Sequence, residues 1–367
     1  MEAREEMADN ADRNYRAIGV MSGSSLDGID LALCDLRIEK GRWNFRIEKA
    51  RTVPYDEDLR SRLIAVMDGS ALELARLHVE LGRMIGNAIN EFLSGEKIDL
   101  IASHGHTIFH KPDEGLTTQI GCGAQIAAIS GITTVCDFRT MDVALGGQGA
   151  PLVPIGERLL FSDHDAFINL GGIANISIHR KSGVIGYDVG PCNMALNLLA
   201  AEAGKAYDES GSIARSGSVD DRLLRSLNDL SFYQKNPPRS LGREWFDEEL
   251  KPLTVKSDRS LPDRMRTLVE HIAIQIGLEL DRHSAGKAMI TGGGAHNSFL
   301  VERIRHHSRA SIELPEKTVI DFKEALIFAL LGVLRVRGEV NALASVTGAG
   351  RDSVGGAVYL GFNIPPE

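Results

Sequence analysis

The sequence predicts an α/β protein built from two duplicated domains, and three observations support this prediction. The chain has 367 residues, and single hydrophobic cores stop growing at roughly 250–300 residues. Predicted strands and helices alternate along the chain, which is typical of layered α/β folds. A pattern of strand, glycine-rich turn, strand, strand and helix occurs twice, about 150 residues apart.

The first copy of the pattern follows a charged stretch, residues 1–15, for which we expect no order. Apolar runs bounded by turn residues predict its strands, and a stripe of apolar residues every three or four positions predicts its helix. These elements are strands over 17–21, 29–36, 43–53, 100–103 and 132–136, and a helix over 71–93.

The second copy begins after the glycine cluster at residues 146–149. Its elements are strands over 166–170, 176–179, 184–188 and 288–291, and helices over 193–203, 264–280 and 322–337. A last strand over 358–360 is predicted in the tail of the chain. We therefore predict a first domain of residues 16–138 and 345–367, and a second domain of residues 139–344.

Composition and charge exclude several classes of function. The chain carries 41 basic and 50 acidic residues, and aromatic residues make up only 5%, so we expect no nucleic-acid partner. No apolar run resembles a signal peptide or approaches 18 residues, so we expect no membrane partner. The four cysteines lack zinc-site spacing, which predicts reduced thiols and a cytoplasmic location.

The first glycine-rich turn, in MSGSSLDGID, predicts a loop around the phosphates of a nucleotide. Asp27 and Asp30 would hold Mg²⁺ there, directly or through water. A tight hairpin capped by its own Asp and Ser side chains is the alternative interpretation. The residues of the predicted loop are Gly23, Ser24, Ser25, Leu26, Asp27, Gly28, Ile29 and Asp30.

Two further glycine-rich turns follow predicted strands in the second copy. NLGGIANIS contains Gly171, Gly172 and Asn175, and TGGGAHN contains Gly292, Gly293 and Gly294. Such turns bring backbone N–H groups close to an anion. Phosphate loops in both halves predict that a nucleotide binds in a cleft between the domains. Neither a P-loop motif nor a dinucleotide-binding glycine motif is present in the sequence.

Polar residues at predicted strand ends form a second candidate set, which consists of His104, His106, Arg139, Asp188 and Glu324. Asp188 is a candidate general base, although an N-cap for the helix after Pro191 is equally compatible with its position. Arg139 and His106 are suited to binding carboxylate or hydroxyl groups of a substrate.

These segments resemble those of the anhydro-N-acetylmuramic acid kinase family, in the family's order, from Ile18 to Gly356. The run that starts at Asp137 is the most specific of them. The resemblance implies the acetate kinase/hexokinase/actin fold, with two ribonuclease H-like domains and a nucleotide cleft. The matching segments are MSGSSLDGID, SHGHTIFHKP, DFRTMDVALGGQGAPLVP, NLGGIANIS, GYDVGPCNM, PPRSLGREWF, TGGGAHN, FKEALIFA and SVTGAGR.

The resemblance also implies a reaction. Family members convert 1,6-anhydro-N-acetylmuramic acid, ATP and water into N-acetylmuramic acid 6-phosphate and ADP, as part of peptidoglycan recycling. Asp188 would be the base that activates water, and residues 23–30 would form the main ATP loop with Mg²⁺. His104, Arg139 and Glu324 would contact the sugar and its lactyl carboxylate. The expected partner is this small anhydro amino sugar, and a homodimer is one expected assembly.

Several residues differ from those usual in the family. His106 stands where Gln is usual, Arg239 where Lys is usual, and Cys192 where Gly is usual. Two other functions remain open: an ordinary sugar kinase that acts on a free hydroxyl, and a non-catalytic ATP-dependent switch of the same fold. The polar set at the strand ends favours an enzyme, because a switch does not need it.

Overall fold

A computed structural model describes residues 13–23, 26–180, 183–237, 239–255 and 257–362. The chain forms two compact units. Unit 1 consists of Met1–Phe161 and Phe322–Glu367, and unit 2 consists of Ser162–Asp321. In the described part of the chain, no helix is both long enough and apolar enough to cross a membrane.

Unit 1 contains a mixed six-stranded sheet with the order β3-β2-β1-β4-β7-β13. The β2 strand is antiparallel to both β1 and β3, whereas β4 runs parallel to β1 and β7 runs parallel to β4. A separate hairpin is formed by β5 and β6. The strands are β1 (Asn14–Met21), β2 (Gly28–Glu39), β3 (Arg42–Pro54), β4 (Leu100–Ser103), β5 (His106–Lys111), β6 (Leu116–Ile120), β7 (Thr134–Cys136) and β13 (Ala357–Tyr359).

The helices of unit 1 cover its sheet. They are α1 (Glu57–Ala65), α2 (Ala71–Leu93), α3 (Gly123–Ser130), α4 (Thr140–Ala144), α5 (Val153–Leu160), the main part of α13 (Lys317–Arg337) and α14 (Ala344–Thr347). Leu77, Leu81 and Ile85 of α2 pack with buried residues of β1 and β2. The α13 helix approaches the sheet so closely that a β-carbon at Gly19 would collide with the Ala325 carbonyl.

Unit 2 contains a five-stranded sheet with the order β10-β9-β8-β11-β12. Its strands are β8 (Ala166–Leu170), β9 (Ile173–Arg180), β10 (Gly183–Pro191), β11 (Lys287–Thr291) and β12 (Ser311–Glu313). Its helices are α6 (Asn193–Ala201), α7 (Ser212–Ser216), α8 (Asp221–Asn228), α9 (Arg243–Trp245), α10 (Lys251–Val255), α11 (Leu261–Arg282) and α12 (Ser298–His307). The buried residues of α6, α11 and α12 form one core with β8 and β9.

The two sheets share one topology, so the predicted duplication and fold class are confirmed. In each unit the second strand lies antiparallel between the first and the third, and two parallel strands continue the sheet on the other side of the first. This strand order agrees with the ribonuclease H-like domains that the resemblance implies.

The boundaries of the units differ from the predicted boundaries at residues 138 and 344. Residues 139–161 and 322–344 belong to unit 1, because α5 and α13 pack against each other and against its sheet. A β-carbon at Gly156 would lie 2.6 Å from Ile327 Cγ2. The prediction of a disordered lead over residues 1–15 extends too far, because β1 already begins at Asn14. Residues 1–12 lie outside the described residues.

Candidate active site

The first glycine-rich turn joins β1 to β2 in unit 1. Leu26 has a φ of 58°, and the exposed Asp27 precedes the β2 strand. Asp30, on β2, accepts a hydrogen bond of 2.6 Å from Thr52 Oγ1 through its Oδ1 atom. Gly23, Gly28 and Ile29 occupy the predicted positions in the turn and strand, whereas Ser24 and Ser25 lie outside the described residues.

The carboxylates of this turn fit Mg²⁺, which binds through one or two carboxylates together with waters and phosphate oxygens. Asp27 and Asp30 supply hard oxygen donors of this kind. The described residues contain no group of three or more His, Cys, Asp or Glu side chains arranged as metal ligands. An ion held here would therefore take most of its ligands from phosphate and water.

A chain of hydrogen bonds starts at the end of β1. The buried Ser22 hydroxyl lies 2.6 Å from the Tyr55 hydroxyl and 2.9 Å from Nδ1 of His106. Burial lowers the pKa of His106 and raises the pKa of Tyr55 to about 12. All three groups are therefore neutral near pH 7, and His106 is linked to Ser22 at the end of β1. Tyr55 was not among the predicted site residues.

Arg139 and His104 form a second polar group in unit 1. Arg139 donates from Nε to His104 Nε2 at 2.9 Å and from Nη1 to the Gly149 carbonyl at 2.7 Å. His104 Nε2 is thus the acceptor, so Nδ1 carries the proton and donates to the Gly105 carbonyl at 2.8 Å. Both ring nitrogens of His104 are occupied, and its role in this geometry is to orient Arg139.

Glu324 lies beside Arg139 in the same unit. Its carboxyl is half-buried, and burial raises its pKa, although Lys323 and Arg139 act in the opposite direction. The carboxylate of Asp30 also raises the pKa of Glu324, so these two acidic groups are linked electrostatically. Four of the predicted residues, His104, Arg139, Glu324 and Asp30, thus belong to one polar cluster.

Asp142 supports this cluster and was not predicted. Its Oδ2 atom accepts a hydrogen bond of 2.8 Å from the Gly149 N–H, and its Oδ1 atom accepts one of 2.7 Å from Thr347 Oγ1. The buried carboxylate therefore ties the glycine-rich segment at 146–149 to α14. Because the Gly149 carbonyl accepts from Arg139, Asp142 also fixes a partner of that guanidinium.

The predicted glycine turns of unit 2 come together around Asn193. The Asn193 side chain donates from Nδ2 to the Leu170 carbonyl at 2.8 Å, and its backbone N–H donates to the Gly171 carbonyl at 3.1 Å. A β-carbon at Gly294 would lie 3.0 Å from Asn193 Oδ1. Asn193, the first residue of α6, thus connects both turns and was also not predicted.

The glycines of these turns differ in what surrounds them. Side chains at Gly292 and Gly294 would collide with Asn169 and Leu170, so the fold itself requires glycine there. The exposed Gly172 and Gly293 would place a β-carbon no closer than 3.9 Å and 3.7 Å to any atom. The packing of unit 2 therefore does not explain these two glycines.

Asp188 lies on β10 next to a β-bulge. It pairs with Asn175, whereas Gly190 pairs with the adjacent Ala174, so Val189 is the extra residue. Bulges bend a strand and re-aim its side chains. The Oδ2 atom of Asp188 accepts hydrogen bonds from the Leu241 N–H at 2.9 Å and the Ser240 hydroxyl at 3.3 Å.

The surroundings of Asp188 decide between its two possible roles. The α6 helix begins at Asn193 with Cys192 as its N-cap and no side-chain cap, so the N-cap interpretation of Asp188 is wrong. Burial raises the pKa of Asp188, and the hydrogen bonds from Leu241 and Ser240 lower it. Among the described residues, none donates a hydrogen bond to Oδ1 of Asp188.

Comparison with known proteins identifies the family. The model of the family described as anhydro-N-acetylmuramic acid kinase matches residues 15–361. This chain belongs to that family. It is therefore a kinase, a phosphotransferase that binds a nucleotide, and the expected resemblance is confirmed. A non-catalytic switch is not supported.

Curated relatives agree along the whole chain. Three proteins named anhydro-N-acetylmuramic acid kinase are similar to this chain. Those from Sulfurovum sp., Aliivibrio fischeri and Thiobacillus denitrificans are 35%, 37% and 37% identical to it. The alignments cover 94%, 93% and 93% of this chain and 99%, 98% and 96% of those proteins. Among solved structures, a ROK family glucokinase from Streptomyces griseus is 12% identical, with a TM-score of 0.42 over 86% of this chain and 98% of that chain.

Proposed function

We propose that this chain is an ATP-dependent kinase that hydrolytically opens 1,6-anhydro-N-acetylmuramic acid and phosphorylates its 6-oxygen. The products are N-acetylmuramic acid 6-phosphate and ADP, and the role is peptidoglycan recycling in the cytoplasm. The observation that carries the proposal is the Asp188 carboxylate, which has one oxygen held by Leu241 and Ser240. Membership of the family supplies the class of reaction.

Asp188 acts as the general base in this proposal. Its Oδ1 atom takes a proton from water, and the water oxygen forms a bond to the anomeric carbon of the sugar. The bond between that carbon and the bridging 6-oxygen breaks, and its electron pair stays on the 6-oxygen. The 6-oxygen then attacks the γ-phosphorus of ATP, and ADP leaves with the electron pair of the broken P–O bond. Burial supports this role, because it moves the pKa of Asp188 towards the working pH.

The polar cluster of unit 1 binds the sugar. Arg139 has Nε and Nη1 engaged by His104 and Gly149, which leaves Nη2 for the lactyl carboxylate. An anion placed there would meet a fixed guanidinium, since its orientation is set before the substrate arrives. Glu324 and His106 provide an acceptor and a ring nitrogen for the hydroxyl and amide groups of the sugar. His104 acts through Arg139.

The glycine turns bind ATP in this proposal. The exposed positions of Gly172 and Gly293 let backbone N–H groups approach the phosphates. Asp27 and Asp30 would hold Mg²⁺, which when bound neutralises the charge of the transferring phosphate. Asn175, which pairs with Asp188 across β9 and β10, would contact the same nucleotide.

The choice of sugar tests the reaction. We expect ADP release in the presence of ATP, Mg²⁺ and 1,6-anhydro-N-acetylmuramic acid, and at least tenfold less with N-acetylmuramic acid, which already has a free 6-hydroxyl. An ordinary sugar kinase would prefer the second compound. ADP release that is equal without any sugar would contradict both activities.

Replacement of Asp188 by Asn tests the base. We expect Asp188→Asn to lower kcat by at least 10²–10⁴-fold, since Asn cannot accept the proton. Its amide oxygen still accepts from Leu241 and Ser240, so the thermal midpoint and ATP binding should be unchanged. ADP release and the thermal midpoint are measured on one preparation. Near-normal turnover in this variant would refute the proposed mechanism.

A further inference from the structure

A buried ion pair lies behind Asp188 in unit 2. Arg239 Nη2 is 2.7 Å from Glu279 Oε1, and the two side chains are only 3% and 2% exposed. Glu279, near the end of α11, also accepts a hydrogen bond of 2.8 Å from the Tyr187 hydroxyl through Oε2. A pair this deeply buried gives little net stability, because the loss of hydration offsets the attraction between its charges. Its presence therefore calls for another explanation.

The contacts of Arg239 connect the ion pair to the strand that carries Asp188. Arg239 Nε donates to the Asp188 carbonyl at 3.3 Å, and the Asp188 N–H donates to the Arg239 carbonyl at 2.9 Å. Arg239 Nη1 donates to the Lys235 carbonyl at 3.0 Å, and its guanidinium stacks on Phe232 at 4.7 Å. Arg239 is thereby held against Asp188 on one side and against Lys235 and Phe232 on the other.

The two residues after Arg239 are the ones that bind the Asp188 carboxylate, through the Ser240 hydroxyl and the Leu241 N–H. We propose that Arg239 and Glu279 are positioning residues for the general base. Their ion pair fixes residues 239–241 so that both donors hold Oδ2 of Asp188 and Oδ1 stays directed at substrate water. This inference rests on the proposed function of Asp188.

The pair does not act on Asp188 through its charges. The pKa of Asp188 responds to burial and to its hydrogen bonds with Leu241 and Ser240. A loosened segment removes the two donors that lower this pKa, so the pKa rises. Because the base works only when deprotonated, the acid limb of the kcat profile then moves to higher pH. Titratable or charged groups on the surrounding elements are Arg180, Tyr187, Tyr233, His271, Arg282 and His283.

Burial also shifts the pKa values of the titratable groups near Asp188, and in each case it favours the neutral form. The pKa values of His271 and His283 are lowered by burial, and those of Tyr187 and Tyr233 are raised by burial. Burial thus favours the neutral form of both histidines and of both tyrosines. A shift of the acid limb in the variants is therefore assigned to Asp188.

The test compares three variants of the full chain. Arg239→Met/Glu279→Met removes both charges at similar volume, so it should fold with a normal thermal midpoint. We expect kcat about 10–100-fold lower, an unchanged KM for ATP and an acid limb displaced to higher pH. Arg239→Lys keeps the charge opposite Glu279, so kcat should recover to within about threefold. Glu279→Gln should lose kcat and also stability.

A matched control comes from another ion pair on the same helix. Arg264 Nη2 lies 2.5 Å from Glu202 Oε2, and this pair has no contact with residues 239–241. Glu202→Gln should change stability without moving kcat or the acid limb.

A folded double Met variant with normal kcat and an unmoved acid limb would overturn the positioning role, even if Asp188→Asn is inactive. Turnover in Asp188→Asn would instead refute the proposed function. The two failures are thus distinguishable.

Discussion

The fourth strand of each sheet ends in a different kind of residue, although the two sheets have the same strand order. In unit 1, β4 is followed by His104 and His106, whose rings bind Arg139 and Ser22. In unit 2, β11 is followed by Gly292, Gly293 and Gly294. The comparison teaches that one duplicated framework presents side chains at one strand end and bare backbone at the other. We relate the first to sugar binding and the second to phosphate binding.

The largest effect expected from this comparison is at Arg139, which binds the His104 ring after β4. Arg139→Leu should lower kcat/KM for the anhydro sugar by about 10²–10³-fold, because it removes a charged donor from a half-buried site and leaves Glu324 without its neighbour. Steady-state kinetics with the sugar varied at saturating ATP measures this. Arg139→Lys keeps the charge but not the Nε bond to His104, so it should be intermediate.

The KM for ATP provides the internal comparison for Arg139. If Arg139→Leu raised the KM for ATP and left the KM for the sugar unchanged, the proposal that the side chains after β4 bind the sugar would be wrong. A thermal midpoint near that of the parent protein is needed for either conclusion.

The second prediction concerns stability at acid pH, and it applies to one buried histidine in each unit. His104 in unit 1 and His271 in unit 2 are buried, and burial lowers the pKa of each to about 3. Below pH 6.5 the unfolded chain binds the proton first, so the free energy of unfolding falls as the pH falls towards 3. Each histidine should cost about 2 kcal/mol on going from pH 7 to pH 5.

Urea unfolding at pH 7 and pH 5 measures this cost unit by unit, because Trp43 lies in unit 1 and Trp245 in unit 2. Fluorescence of a Trp245→Phe protein follows unit 1, where His104→Gln should flatten the pH dependence. Fluorescence of a Trp43→Phe protein follows unit 2, where His271→Gln should do the same. The exposed His306 is the control, and equal flattening by His306→Gln would contradict the assignment to burial.

The smallest effect is expected at the run of glycines that follows β11. Gly293→Ala adds a methyl group in ordinary van der Waals contact with Asn193 Nδ2, at 3.7 Å, so the thermal midpoint should hold while the KM for ATP rises about tenfold, or ~1.4 kcal/mol. Gly294→Ala adds one 2.7 Å from Leu170 Cβ and should cost about 1–3 kcal/mol of stability by overpacking. Thermal unfolding and ATP kinetics of both variants separate the roles. An unaffected KM in Gly293→Ala would remove Gly293 from the proposed ATP site.

Local sequence patterns predicted the parts of the fold that depend on local spacing. The helix predicted over 71–93 has the observed bounds, because its apolar stripe repeats every three or four residues. The helix predicted from residue 322 in fact begins at Lys317 and is bent at Phe322, where φ is −121°. Its first turns lack the apolar pattern that marks the rest.

The supporting residues of the site could not be predicted in this way. Leu241 reaches Asp188 from 53 positions away, and Thr347 reaches Asp142 from 205 positions away. Contacts over such separations leave no periodic signal in one sequence. Nor does a run of three glycines reveal that Gly294 is needed for packing and Gly293 is not. That distinction depends on neighbours such as Leu170 on another strand.

The close contact of α13 with the sheet of unit 1 has a consequence for how the protein is made. Strand β1 leaves the ribosome early, but the helix that covers Gly19 follows only after residues 162–321. At about 5–20 residues per second, synthesis of residues 162–321 alone takes roughly 10–30 s. Unit 2 is complete before unit 1 can close, so an apolar sheet face of the nascent chain waits uncovered and is open to chaperones during that time.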